Sequence, residues 1–345
     1  LKKIKQIADK LRMPVWWYHI VPPIVSVIYA VAWIAQVSLQ EIWLPTILFC
    51  VSVMTSAAFG YWLNDCTDVQ EDLQAGKINH AAGLTIIQRF LVLVILAIIG
   101  LLPWLFLPPV KTAWCALGLL FVCFFLYSMP PFRFKNRALL GVLCDIHYGH
   151  VLPIIITVAT FGSLYSPFEA KKWNLIIILL ILLYIKGFRN ITEHQINDRK
   201  NDRKNGVYTF VIAIKPLNAA RLLSFVLVPI ELSVIALFLV QWSVKLLITY
   251  LLFLALYAFL LQRWGVFRLP LRHRWYKFWY IANDFYESWL PISILFLASL
   301  DNWQYLILLL IHLVLFSKNI QWFGWIVIEF KSIFFITHNP TKSLT

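Results

Sequence analysis

Long, nearly unbroken apolar runs alternate along this chain with short basic or mixed segments, and no stretch shows the strict apolar–polar alternation of a barrel strand. The runs fall at 15–35, 43–63, 84–106, 112–129, 139–161, 174–191, 211–240, 246–262 and 281–300. Each approaches the roughly 20 residues that a helix needs to cross the hydrocarbon layer. A further run at 304–317 is a candidate tenth span, and the aromatic stretch from Gln321 to Ile336, interrupted by Glu329 and Lys331, suits an interfacial position. The pattern predicts an all-α, polytopic membrane protein with about nine transmembrane helices.

Composition supports this reading and excludes a soluble chain. Of 345 residues, 61% are hydrophobic and 13% charged, with a mean hydropathy of +0.76; soluble proteins carry about 25% charged residues. The first apolar segment, Val15 to Ala35, is long enough to span and lacks a small-residue cleavage site after a short core, so it reads as a span. The five cysteines form no CxxC pair, and most sit in apolar runs where packing is their expected role.

The net charge of +14 does not point to nucleic acid, because of where it falls. With the N-terminus placed in the cytoplasm, most Lys and Arg lie in loops on that side: Lys2, Lys3, Lys5, Lys10 and Arg12; Arg133, Lys135 and Arg137; Arg189, Arg199, Lys200, Arg203 and Lys204; Arg263, Arg268, Arg272, Arg274 and Lys277. This charge sets topology and also offers anchors for anionic ligands.

Acidic residues are scarcer and more informative. Seven of the 16 lie in or beside two segments: Asp65, Asp68, Glu71 and Asp72 after the second run, and Glu193, Asp198 and Asp202 after the sixth. Asn64, Asp68 and Asp72 recur every four residues, which stacks them on one face of a continuing helix. Like charges at this spacing repel unless a cation holds them, and carboxylate and amide oxygens are what Mg²⁺ prefers. A solvated helix cap is the plainer account of that segment alone. Downstream, Lys186, Asn190, His194, Asp198 and Asp202 form a second four-residue stripe, flanked by Arg199, Arg203 and Lys204 and closed by Gly206. Alternating acids and cations suit a metal-bound diphosphate. A third segment, Tyr127 to Arg137, stops a span at Pro130-Pro131 and predicts an extended exit on which Arg133, Lys135 and Arg137 point to one side.

These three motifs resemble those of the UbiA-type intramembrane prenyltransferase superfamily. The matching residues are NDxxDxxxD at Asn64–Asp72, Tyr-Ser-x-Pro-Pro-x-Arg-x-Lys at Tyr127–Lys135, and DxxxDxxxGxxT through Asp198, Asp202, Gly206 and Thr209, with Gly60 four residues before Asn64. The resemblance covers residues 10–300 as one prenyltransferase domain and leaves 301–345 as an apolar C-terminal extension. It implies helices around a central cavity, open to the cytoplasmic side and to membrane lipid. It further implies a Mg²⁺-dependent enzyme that transfers an isoprenyl group from a prenyl diphosphate donor to a lipophilic acceptor. Carried onto this chain, Asn64, Asp68, Asp72, Asp198 and Asp202 would hold metal, the four aspartates forming the catalytic set. Lys77, Arg133, Lys135 and Arg199 would contact diphosphate.

Departures bear on the acceptor. Members acting on 4-hydroxybenzoate carry an Arg seven residues before the motif Asn, where this chain has Ala57; the Arg-Pro that commonly follows the first motif is replaced by Gly76-Lys77-Ile78-Asn79. Both make an aromatic carboxylic acid a poorer fit. Intramembrane polar residues are functional candidates by default, and Asp145, His147 and His150 in span five, with Asn283, Asp284 and Glu287 opening span nine, are candidates for the acceptor pocket. Interhelical hydrogen bonding is the competing account for each. Two other functions share these features: a terpene cyclase on the same scaffold, which uses the same ionising residues, and a transporter, which also places charge inside a membrane bundle.

Overall fold

In a hydrocarbon layer each backbone N–H and C=O must find a partner within the chain, and the helix satisfies them along its own length. The computed structural model describes residues 2–165, 173–204, 206–263 and 279–320. Among these the secondary structure is helical, apart from one isolated bridge between Ala138 and Thr209. Arg268, Arg272, Arg274 and Lys277, and the aromatic stretch from Gln321 to Ile336, lie outside the described residues.

The principal helices are α1 (Met13–Ile34), α2 (Leu39–Thr67), α3 (Ile86–Leu101), α4 (Lys111–Ser128), α5 (Ala138–Tyr165), α6 (Trp173–Lys204), α7 (Pro216–Trp242) and α8 (Val244–Arg263), followed by α9 (281–301) and α10 (Gln304–Leu315). Eight of them are long and apolar enough to cross a membrane. The ninth expected span is α9, made less apolar by Asn283, Asp284 and Glu287 in its first turns. At 12 residues α10 covers about 18 Å, too short for a hydrocarbon layer of roughly 30 Å, and it packs along α9. The run expected at 211–240 is split. A short helix, Phe210–Ile214, ends at Lys215, whose φ of 72° leaves helical space, and α7 starts at Pro216.

Neighbouring helices close a ring in which α1 meets α2, α2 meets α4, α4 meets α5, α5 meets α6, α6 meets α7, α7 meets α8, α8 meets α9, and α9 returns to α1. Helix α3 lies outside on α2, with Ile86, Ile87 and Phe90 exposed toward lipid. Helix α1 also touches α5, so these two wall the space inside the ring.

Arg189, expected from the sequence among the cytoplasmic basic residues, is instead fully buried in the bundle. Its Nε and Nη2 donate to Glu231 of α7, the latter at 3.2 Å; Nη2 also reaches Asn283 Oδ1 of α9 at 2.8 Å, and Nη1 donates to Asn190 Oδ1 at 2.8 Å. Glu231 is equally inaccessible. A charge at this depth persists only when paired and hydrogen-bonded, so this clamp ties α6, α7 and α9 together.

Candidate active site

Helix α2 carries the first acidic cluster to its end. Asp68 closes the helix with φ −107° and ψ 11°, and a new short helix, Val69–Gln74, begins at once. The stripe therefore spans a break rather than one continuous helix. The backbone bonds Asp68 N→Asn64 O (3.0 Å) and Asp72 N→Asp68 O (2.8 Å) nevertheless preserve the four-residue spacing across it. Asp65, off the stripe and buried, meets the Arg12 guanidinium at 2.5 Å.

The exit segment after α4 folds onto this cluster. It is not extended as expected. Arg133 has a φ of 39°, and Phe134–Asn136 forms a single 3₁₀ turn. That turn brings two of the three basic side chains together. Lys135 Nζ donates to Asp68 Oδ1 and, at 3.2 Å, to Asn64 Oδ1. Arg133 Nη2 bridges Asp68 Oδ1 at 2.9 Å and Glu71 Oε2 at 2.6 Å. Arg137 instead donates to the Pro131 carbonyl at 3.0 Å and covers the Phe134 ring. The hydrogen bond from Arg133 holds the Glu71 carboxyl below its ordinary range and raises Arg133 in return. Burial pushes the Lys135 ammonium down against the pull of Asp68.

The second cluster sits at the end of α6. Lys77, from the loop after the first cluster, approaches Asp198 Oδ2 at 3.8 Å, and His194 Nε2 lies 3.7 Å from the same oxygen. Asn79 orders that loop. Its amide nitrogen donates to Asp72 Oδ2 at 2.8 Å and to the Asp65 carbonyl at 2.9 Å, while its Oδ1 accepts from Ala81 N and Ala82 N. The Gly76–Asn79 departure from the family pattern thus orients Asp72 and joins the two acidic segments. Gly206, with φ 68°, follows α6, and Ala138 N donates to the Tyr208 carbonyl at 3.0 Å, stitching the exit segment to the loop after Asp202. Arg199 turns back on its own helix and donates to the Ile196 carbonyl at 2.5 Å.

Below these clusters lies a cavity of about 430 Å³. Arg12, Asn64, Ser128, Asp145, Asn190 and His194 line its polar part. Tyr61, Phe124, Tyr127, Tyr148 and Trp104 supply aromatic walls, and it extends along α2 to Ser52, about 18 Å from Asn64. The Tyr148 ring lies 5.2 Å from both Phe124 and Tyr127, and its hydroxyl donates to Asp145 Oδ1 at 2.5 Å. Trp104 Nε1 donates to Ser52 Oγ at 2.8 Å at the far end. Ala57 lines this cavity too.

A second chamber, of about 390 Å³, adjoins the first through shared walls at Ile20, Tyr61, Gly149, His150, Asn190 and His194. Glu287 lines it and pairs with His19 Nδ1 at 2.9 Å. Among the sequence candidates for the acceptor pocket, Asp145 faces the first chamber and Glu287 the second. Asp284 lines neither and pairs with the Tyr257 hydroxyl. His147 also lines neither; its ring contacts the Leu143 carbonyl and the Tyr184 hydroxyl. His150 takes the inward place because residues His147–Val151 form a π-helical turn, which adds a residue and shifts the helix phase. Sequence reasoning passed over His19 and Glu231, although a polar side chain inside an apolar run was the available signal for both. Arg12 resembled any topology-setting charge, and nothing marked Asn79 as the residue that holds Asp72.

The UbiA prenyltransferase family model matches residues 21–289. The chain belongs to the UbiA prenyltransferase family. Both acidic segments, the exit segment and both chambers lie within or beside that matched region. A UbiA homolog from Archaeoglobus fulgidus, solved with GPP and Mg²⁺, is 16% identical and aligns with a TM-score of 0.59 over 83% of this chain and 98% of that one. The structure of that homolog with DMAPP and Mg²⁺ gives the same values. The structure of a digeranylgeranylglyceryl phosphate synthase is 17% identical, with a TM-score of 0.58 over 86% of this chain and 99% of that one. At these identities the likeness establishes that the UbiA fold is shared. A comparison with curated proteins finds no match.

Proposed function

We propose that this chain is a Mg²⁺-dependent membrane prenyltransferase that ionises a prenyl diphosphate and passes the allylic group to a lipophilic acceptor, releasing pyrophosphate. One observation carries the reading: Asn64, Asp68, Arg133 and Lys135 converge at the polar mouth of an aromatic-walled cavity. A transporter needs no such combination of acids, cations and an aromatic-walled pocket.

The acidic residues suit the metal. Asn64, Asp68, Asp72, Asp198 and Asp202 offer hard oxygen donors. Among the described residues no three His, Cys, Asp or Glu side chains gather closely enough to hold an ion by themselves. Mg²⁺ is ordinarily held by one or two carboxylates, with waters and substrate phosphate completing its shell. When bound, Mg²⁺ supplies the positive charge that makes diphosphate a good leaving group.

The remaining work belongs to the chain. Lys135 and Arg133 exchange carboxylate for diphosphate oxygens and neutralise them, with Lys77 approaching from the loop that joins the two clusters. Arg199, engaged with the Ile196 carbonyl, is the least well placed of the four basic contacts. The prenyl tail lies along the apolar part of the cavity toward Trp104 and Leu117. The faces of Tyr61, Phe124, Tyr127 and Tyr148 stabilise the allylic cation and keep water from it. Residues 10–300 form the catalytic unit and 301–345 an extension. The N-terminus and the site face the cytoplasm, because the basic segments share the site's end of the bundle.

Asp68→Ala and Asp198→Ala should each abolish Mg²⁺-dependent pyrophosphate release from a prenyl diphosphate while the protein retains its thermal transition. Undiminished release in both would overturn the assignment. A terpene hydrocarbon or alcohol formed without an acceptor would instead identify a cyclase.

A further inference from the structure

Donor ionisation uses the first chamber and leaves the second unexplained. Three observations bear on what the second one takes. Lys186 lines it and is only 7% exposed; its Nζ lies 4.4 Å above the Tyr286 ring and has no hydrogen-bonded oxygen among the described residues. A buried ammonium without an oxygen partner is costly, and a ligand oxygen would relieve it. His19 also lines the chamber. Glu287 Oε2, 2.9 Å from its Nδ1, fixes the proton there, and Nε2 has no hydrogen bond among the described residues. Finally, Lys186 and Arg189 stand against Glu193, Glu231 and Glu287, so the surroundings hold no surplus of positive charge. An anionic head would meet Glu193 and Glu287, whereas a neutral hydroxyl accepts from Lys186 and donates to His19.

We propose that the second chamber seats the acceptor, that the acceptor presents an uncharged hydroxyl-bearing head, and that His19 is the base that deprotonates it; this rests on the prenyltransferase reading above. The shared walls at Tyr61, His150 and Asn190 bring the two chambers together where the reacting carbon lies. The donor's allylic C–O bond breaks with its electron pair leaving on diphosphate. An electron pair of the acceptor forms the new bond to the allylic carbon, and the hydroxyl proton passes to Nε2 of His19. Glu287 holds the resulting imidazolium, and Lys186 steadies the oxygen as it loses its proton. Trp16, Pro23, Ile24 and Ile154 supply an apolar wall for the rest of the acceptor.

The test uses purified protein in lipid nanodiscs with Mg²⁺, geranyl diphosphate as donor probe, and two matched acceptor probes, 1,4-dihydroxynaphthalene and 1,4-dihydroxy-2-naphthoate. Binding is followed by tryptophan fluorescence and transfer by mass spectrometry. The uncharged probe should bind about tenfold or more tightly than the carboxylated one, and Lys186→Met should weaken it by about tenfold without changing Mg²⁺-dependent binding of geranyl diphosphate. His19→Gln should lower transfer about a hundredfold or more while weakening acceptor binding by a much smaller factor, because the Gln amide oxygen still accepts the hydroxyl, and Glu287→Gln should lower transfer in the same sense. Equal or tighter binding of the carboxylated probe overturns the proposal, as does failure of both probes to bind. Binding without transfer, full transfer by His19→Gln, or loss of donor binding in Lys186→Met also counts against it. If the unaltered protein shows no Mg²⁺-dependent binding of geranyl diphosphate, the underlying prenyltransferase reading fails instead.

Discussion

Gly141 governs where Lys135 sits. A Cβ at that position would lie 2.7 Å from the Phe134 carbonyl oxygen and 3.2 Å from the Lys135 Cα, and both are backbone atoms that cannot rotate aside. Gly141→Ala must therefore displace the turn that carries Arg133 and Lys135 onto Asp68. It should cost about 1–3 kcal/mol of stability and weaken Mg²⁺-dependent binding of geranyl diphosphate, as read by thermal unfolding and by titration. An unchanged donor affinity would show that the turn does not position the cations. Spacing made the candidates themselves legible: Asp68 and Lys135 could be named from motif and Pro-Pro exit alone. Their contact was not legible, because it depends on a positive φ at Arg133, a residue type that gives no warning of it. Arg189 was misread because a buried, paired arginine and a topology-setting one look alike in a sequence.

At the scale of the element, α6 carries the longest chemical pattern, from Lys186 beside the second chamber to Asp202 in its last turn. An alanine inserted between Gln195 and Ile196 would leave Lys186, Asn190 and His194 in place and rotate Asp198 and Asp202 by about 100°. Such a variant should fold with a near-normal thermal transition yet lose Mg²⁺-dependent pyrophosphate release; retained release would mean that the lower half of the stripe is not needed. Helical periodicity revealed α6 because its four-residue repeat is unbroken. It was less reliable for α5 and α9, where the π-helical turns His147–Val151 and Phe285–Trp289 each insert a residue. Of the two histidines named in span five, His150 lines both chambers and His147 lines neither. The break at Lys215 was equally hidden, since apolar residues continue on both sides of it.

For the whole molecule, helix number followed directly from apolar run length, whereas the ring order and the two chambers depend on which helices meet, and one chain's hydropathy does not encode that. Orientation is testable. In a cysteine-free background, Lys204→Cys should react with a membrane-impermeant maleimide only from the cytoplasmic face and Val244→Cys only from the opposite face; the reverse pattern would invert the proposed topology. The Arg189–Glu231 clamp has a further consequence for how the molecule is made. A lone arginine or glutamate in the middle of a span raises the free energy of entering the bilayer by about 2.5–3.5 kcal/mol on insertion scales for charged residues. Because α6 and α7 follow one another in the chain, each brings the other's counter-charge. Insertion of these two helices is therefore more favourable as a hairpin than as two single spans.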